Sequence, residues 1–171
     1  LSVSELMKMR GMSAGLEIHR IERIQNVTTQ QRYNNHRSGN QLLLFHGTRP
    51  SCVDGIIDEG TDFRLCGTNG TLYGNGSYFA VYSSYAAQFS NESQVDSSIG
   101  RLVKYMFVCA VKCGEYTLGS KLLRRPPKKP NGQNGLYDSV VDHVENPSIF
   151  VTFDNSQSLP LYLITFTFDE S

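Results

Sequence analysis

The apolar residues of this chain come in short runs, and that spacing limits the fold more than any other feature. Leu42-Leu-Leu-Phe45, Met106-Phe-Val-Cys-Ala-Val111 and Leu161-Tyr-Leu-Ile-Thr-Phe166 are each the size of a strand. None approaches the roughly 20 apolar residues that a membrane-spanning helix needs. Fifteen glycines in 171 residues separate the runs with tight turns. A membrane-spanning helix, a solenoid and a collagen-like chain are thereby excluded. The length suits one ordinary domain, residues 1–171, with enough chain to bury a core. The opening residue is Leu1, which reads as a piece excised from a longer chain.

Local patterns order the elements. Residues 4–11 read as a short helical turn closed by Gly11, and Leu16 to Ile24 as an edge-type strand. Val27 to Arg37 is polar and helical in pattern. Leu42 to Phe45 is continuously apolar, as in a strand buried on both faces. Cys52 to Glu59 fits an amphipathic helix with Val53, Ile56 and Ile57 inward and Gly60 as its stop. Gly67 to Gly76 reads as a loop, Ser77 to Val81 as a strand, Ser83 to Phe89 as a helix, and Leu102 to Val111 as a long strand. The basic, proline-rich segment Leu123-Arg-Arg-Pro-Pro-Lys-Lys-Pro130 is barred from any central strand. Ser148 to Phe153 and Leu161 to Phe168 close the chain. The class is α+β, dominated by strands.

The sixteen basic and sixteen acidic residues cancel, which argues against a general nucleic-acid binder. Their layout is banded: residues 101–130 hold eight basic against one acidic, and residues 131–171 hold none against six. This banding makes either one anion-attracting face or ordinary solvated surface. Cysteines at 52, 66, 109 and 113 form no Cys-x-x-Cys pair, and the histidines add no zinc-ligand spacing, so no metal is expected. Cys109 and Cys113, about 13 Å apart along one strand, cannot bridge within it. Free, buried thiols in a reducing compartment are expected, hence an intracellular location, cytoplasmic or nuclear.

Three patterns carry chemistry. Phe45-His46-Gly47-Thr48 places a histidine at the exit of a buried strand, beside a glycine that lets a ligand approach the backbone. His46 reads equally as a structural histidine. Tyr73-Gly-Asn-Gly-Ser-Tyr-Phe-Ala80 is a glycine-rich turn feeding an aromatic strand. Asn146-Pro-Ser-Ile-Phe-Val-Thr-Phe153, followed by Leu159-Pro-Leu-Tyr-Leu-Ile164, gives two apolar strands joined by a polar turn. Each is weak alone.

In this order and spacing they resemble the catalytic domain of the diphtheria-toxin-like ADP-ribosyltransferases, the PARP family, in its mono-ADP-ribosyltransferase branch. Phe63 to Ala80, Arg125-Pro-Pro127 with Leu136-Tyr-Asp-Ser139, and Pro147-Ser-Ile-Phe-Val151 extend the resemblance over nearly the whole chain. It implies an ADP-ribosyltransferase-like fold of two packed, mainly antiparallel sheets flanked by short helices. It also implies NAD+ as substrate, bound in a cleft where the sheets meet, and acceptor proteins, including this chain itself, as partners. The family's catalytic triad falls on His46, Tyr78 and Ile149. His46 would bond a ribose hydroxyl, Gly47 the nicotinamide carboxamide, and Tyr78 would stack on the ring opposite Phe89. Thr48 and Tyr85 would line the same cleft, and Arg64 would face the adenine or pyrophosphate or lie at the surface.

The polymerising enzymes carry a glutamate at the third triad position. Ile149 cannot accept a hydrogen bond, so the resemblance implies single transfer rather than a polymer. Ala86 stands where active relatives carry a serine that bonds the carboxamide, with Ser83 and Ser90 the nearest alternatives. The loss of such a bond costs on the order of 0.5–1.5 kcal/mol. The alternative reading is a weakly active or inactive relative serving as an interaction module. The arginine-specific ecto-transferases need a Glu-x-Glu triplet, which this chain lacks.

Overall fold

The apolar runs pair edge to edge, because each is too short to bury itself. The computed structural model describes residues 2, 15–37, 39–66, 71–90 and 93–168, so the expected turn at residues 4–11 lies outside the described residues. The strands are β1 (Leu16–Arg23), β2 (Gln41–Thr48), β3 (Ser77–Ala80), β4 (Gln94–Asp96), β5 (Arg101–Lys112), β6 (Tyr116–Leu118), β7 (Ser139–Val141), β8 (Ile149–Thr152) and β9 (Ser158–Phe168). The helices are α1 (Val27–Asn35), α2 (Val53–Glu59), α3 (Phe63–Cys66) and α4 (Ser83–Gln88). Among the described residues no helix is long and apolar enough to cross a membrane.

Hydrogen bonds link the strands in the order β1-β9-β5-β2-β3-β8-β7-β6, with β4 added to β5. The pairings are antiparallel except β6 with β7. The class is α+β, as expected. The two halves are joined by one registered pair among the described residues, Phe45 with Ala80, between β2 and β3. By contrast, β2 stays in register with β5 over all eight of its residues. The β2–β3 junction is therefore a seam of little ladder between two well-paired halves of the sheet.

Both faces of the sheet are covered at Leu44 and Phe45, whereas Leu43, in the run expected to be buried on both faces, is 36% exposed. Leu44, Phe79, Phe107, Cys109 and Val111 pack with Val53 and Ile56 of α2 on one face. Phe45, Ala80, Met106, Val108 and Ile164 pack with Ala86 and Ala87 of α4 on the other. The small side chains of α4 let it lie close to the sheet. Asn26 caps α1 by accepting the amides of Thr28 and Thr29, and its own amide donates to the carbonyls of Ile57 and Asp58 at the end of α2. At the far end of α1, the buried Lys112 ammonium donates to the His36 carbonyl at 3.1 Å and to that of Tyr33, whose ring it also covers. Burial, with a smaller push from Cys113, raises the Tyr33 hydroxyl to about 12.

Several elements differ from the sequence expectation. β9 begins at Ser158 and includes Pro160, which a central ladder normally rejects. It is accommodated where the β5–β9 register shifts between Val108 and Cys109. The three-residue strands β4, β6 and β7 and the single turn α3 have no apolar period long enough to read. Cys52 is disulfide-bonded, which corrects the expectation of free thiols at that position. Cys109 and Cys113 are free and buried, and burial raises both thiols, Cys113 to about 12.

The close approach of α4 makes a direct prediction. Ala87→Leu should overpack the α4 face and cost about 1–3 kcal/mol, read as a fall of several degrees in Tm. An unchanged Tm would show that α4 is not seated as described.

Candidate active site

His46, Tyr78 and Ile149 come from β2, β3 and β8, three consecutive strands across the seam. A tight crevice lies there, lined by Phe45, Gly47, Tyr78, Phe79, Ala80, Tyr85, Phe89 and Ile149. The structure thus brings together five of the nine residues named from sequence: Gly47, Tyr78, Tyr85, Phe89 and Ile149. Three consecutive residues of β3, Tyr78, Phe79 and Ala80, border the crevice. Ile149 sits opposite Ala80 and next in the ladder to the Phe79–Phe150 pair.

His46 flanks the crevice rather than lining it. It is part-buried on the Phe79 side, with ring centroids 5.3 Å apart. Its Nδ1 lies 2.7 Å from the Tyr78 carbonyl oxygen. A carbonyl only accepts, so Nδ1 carries the proton and Nε2 is left as an acceptor. Burial holds the imidazole pKa below its usual range, and the bond to the Tyr78 carbonyl offsets part of that effect. The neutral ring is the resting form at neutral pH, and it can accept a hydroxyl proton in a hydrogen bond.

The Tyr78 hydroxyl is used locally. It accepts the Tyr73 amide at 3.1 Å and donates to the Gly74 carbonyl at 2.7 Å. These bonds lock the glycine-rich turn onto the ring, and burial raises the phenol pKa. Gly74 adopts a φ of +137°, which a side chain would strain. The Tyr78 ring packs with Val140, Ile149 and Val151, joined by Tyr73, Tyr85, Leu123 and Phe153. The Tyr85 and Phe89 rings meet edge to face, 5.1 Å apart, and form the α4 wall.

Gly47 is where α4 touches β2. A Cβ added there would fall 2.0 Å from the Ala86 carbonyl oxygen and 3.0 Å from Ser90 Oγ. Ala86 is fully buried in the α4 face, so its side chain adds no polar group to the crevice. Ser90 Oγ donates to the Tyr105 carbonyl at 2.7 Å, which commits its proton. Two expected residues lie apart. Thr48 is buried at the end of β2. Arg64 is exposed on α3, where its guanidinium forms a two-point pair with Asp62 at 2.7 and 2.8 Å that draws the carboxyl below its usual range.

Sequence reasoning missed the supports of the crevice. Leu123, from the basic proline-rich segment, packs against the Tyr78 cluster, and its carbonyl accepts the Asn75 amide at 2.8 Å. Asp142 is buried beside β8. The signal for Asp142 was an acid placed directly after the apolar Val140-Val141 pair.

The model of the poly(ADP-ribose) polymerase catalytic domain matches residues 3–146. The chain is 36% identical over 160 residues to the human protein mono-ADP-ribosyltransferase PARP12, covering 88% of this chain and 22% of that protein. It is 38% identical over 159 residues to mouse PARP10 (88% of this chain, 16% of that protein). It is 34% identical over 172 residues to mouse PARP11 (87% and 52%), and both mouse proteins are likewise named protein mono-ADP-ribosyltransferases. The chain therefore belongs to the poly(ADP-ribose) polymerase catalytic domain family. It spans about a fifth of the length of PARP12 and about half that of PARP11.

Two outcomes follow from the geometry. Gly47→Ala should drive α4 off β2 and weaken binding of a nicotinamide mimic at least about tenfold, because a Cβ there meets backbone rather than a flexible side chain. Unaltered binding by calorimetry would contradict this. Protonation of His46 turns its Nε2 acceptor into a donor, so catalytic efficiency should fall with decreasing pH, with a midpoint below the ordinary histidine value of about 6.5. The same depressed pKa removes stability as pH falls from about 6.5 toward the folded-state value, because the unfolded chain binds the proton more readily. An acid limb centred above 6.5 would contradict the assigned burial.

Proposed function

We propose that this chain transfers single ADP-ribose units from NAD+ to protein side chains and releases nicotinamide. The observation that carries the reading is the crevice itself: Gly47, Tyr78, Tyr85 and Phe89 line it together with Ile149, a side chain without charge or hydrogen-bonding capacity. The names of the relatives support the same reading.

In this account Tyr78 stacks on the nicotinamide ring, with Phe89 and Tyr85 on the other side. Gly47 backbone groups hold the carboxamide. His46 Nε2 accepts from a ribose hydroxyl. Such fixed contacts orient the substrate so that the nicotinamide–ribose bond is the one that breaks. The electron pair of that bond leaves with the nicotinamide nitrogen, and positive charge develops at the ribose carbon. An acceptor carboxylate or other nucleophile forms the new bond there. Elongation needs a group that activates the ribose hydroxyl of the first unit, and Ile149 offers none. Acceptor proteins, this chain included, are the proposed partners.

Ala86 favours a second reading, a module that binds NAD+ weakly without turnover. The retained His46 and Tyr78 and the relatives' names weigh against it.

The test is automodification with labelled NAD+. The unaltered chain should carry single ADP-ribose units. His46→Ala should lose about 100-fold in rate through misplacement of the ribose. Long polymer from the unaltered chain would contradict the role given to Ile149, and no label at millimolar NAD+ would favour the non-catalytic module.

A further inference from the structure

The basic, proline-rich segment Leu123–Pro130 is built onto the residues that support the crevice. Leu123 packs with the cluster that holds Tyr78 and Ile149. Its carbonyl accepts the Asn75 amide at 2.8 Å, and its own amide donates to the Ser120 carbonyl at 3.2 Å. Before it, the Gly119 amide donates to the Val141 carbonyl at 2.9 Å, and a Cβ at Gly119 would fall 2.4 Å from the Tyr73 carbonyl oxygen. Beyond it, the Tyr137 amide donates to the Pro127 carbonyl at 2.9 Å, and Lys128 forms a bridge with Leu136. The segment is thus fixed at both ends, and Pro126 and Pro127 stiffen its middle. Its charges are less committed than its backbone. Lys129 pairs with Glu115. Lys121, Arg124, Arg125 and Lys128 are exposed, and among the described residues no ion pair includes them. A shallow groove runs along the segment, bordered by Leu122, Leu123, Pro126, Pro127 and Leu136, with Leu122 89% exposed.

We infer that this groove is a docking surface for the acceptor protein and that it takes an extended, acidic segment flanking the modified residue. This role rests on the reading that the crevice transfers ADP-ribose to protein. Charge complementarity selects the occupant: carboxylates meet Arg124, Arg125 and the two lysines, and an apolar side chain among them covers Leu122. A guanidinium suits a carboxylate in particular, because it binds both oxygens by parallel bonds. Nucleic acid would meet the same cations, but the residues lining the groove are leucine, proline and basic residues, with no aromatic face on which a base could stack. Residues 121–128 span at most about 25 Å, so the acids that they read lie within roughly seven residues of the docking point. Because Leu123 touches the Tyr78 cluster, a segment held in the groove is held beside the crevice. The fixed backbone lowers the ordering cost of that contact. These side chains position the acceptor and touch no reacting atom.

The test uses three fluorescent probes of similar length, followed by anisotropy. One is a peptide of alternating Glu, Asp and Leu, the second has Gln and Asn in place of its acids, and the third is a single-stranded oligouridine. The native chain should bind the acidic peptide at least about tenfold more tightly than the neutral one, and the preference should shrink as salt screens the exposed charges. Arg124→Glu combined with Arg125→Glu alters exposed side chains, so Tm and the hydrolysis of NAD+ without acceptor should hold while the preference disappears. Leu122→Ser keeps every cation and should weaken the acidic peptide several-fold, which a diffuse attraction of charges would not do. Equal binding of the two peptides by the native chain, a preference that survives the charge reversal, or unchanged affinity in Leu122→Ser overturns the proposal. Tighter binding of oligouridine than of the acidic peptide overturns it in favour of nucleic acid. The expected binding pattern without ADP-ribose transfer would support the groove while sinking the transferase reading, and transfer without acidic preference would do the reverse.

Discussion

The seam between β2 and β3 is the constraint on which the site depends. Eight registered pairs hold β2 to β5, yet one pair, Phe45 with Ala80, holds it to β3. A continuous ladder there would close the sheet and leave no crevice. Beside the single pair lie His46 and Gly47 of β2 and Tyr78 of β3. The gap is bridged by side chain rather than backbone, through the His46 Nδ1 bond to the Tyr78 carbonyl. That bond fixes the imidazole tautomer as well as the spacing of the strands. The geometry of the cleft and the protonation of its histidine therefore have a common origin.

The walls are set by close packing. Three alanines, at 80, 86 and 87, let α4 lie directly on the sheet. This places Tyr85 and Phe89 opposite Tyr78. Gly47 is required at the contact because the Ala86 carbonyl occupies the space of a side chain. On the third side, the Tyr78 hydroxyl closes the glycine-rich turn and Asp142 gathers the amides leading into β8. Each wall is held by contacts that do not involve substrate, which is the arrangement expected of a preorganised site.

Much of this was legible in the sequence where a physical signal was long or local. Within Leu42 to Phe45, α2 covers Leu44 on one face and α4 covers Phe45 on the other, while Leu43 stays exposed. Cys52 to Glu59 showed its helical period and its glycine stop, and the structure has a single 3₁₀ turn running into α2 there. The crevice residues Gly47, Tyr78, Tyr85, Phe89 and Ile149 were named from motifs whose order along the chain matches three adjacent strands. What escaped were features set by tertiary contact. β4, β6 and β7 span three residues each and take their pairing from neighbours. Pro160 enters a ladder because a register shift accommodates it. Asp142 was not singled out, since its burial depends on amides six and seven residues away in the chain. Arg64 was open to a ligand or a surface reading, and its exposed guanidinium is held by a carboxylate two residues before it.

The slot between Tyr78 and the α4 aromatics is the proposed nicotinamide site. A crystal structure of this chain soaked with benzamide, a neutral mimic of the nicotinamide ring, tests it most directly. The account predicts the ring stacked on Tyr78 between β3 and α4, with its carboxamide against the Gly47 backbone and His46 still bonded to the Tyr78 carbonyl. Benzamide bound elsewhere, with α4 still closed over Gly47, would contradict it.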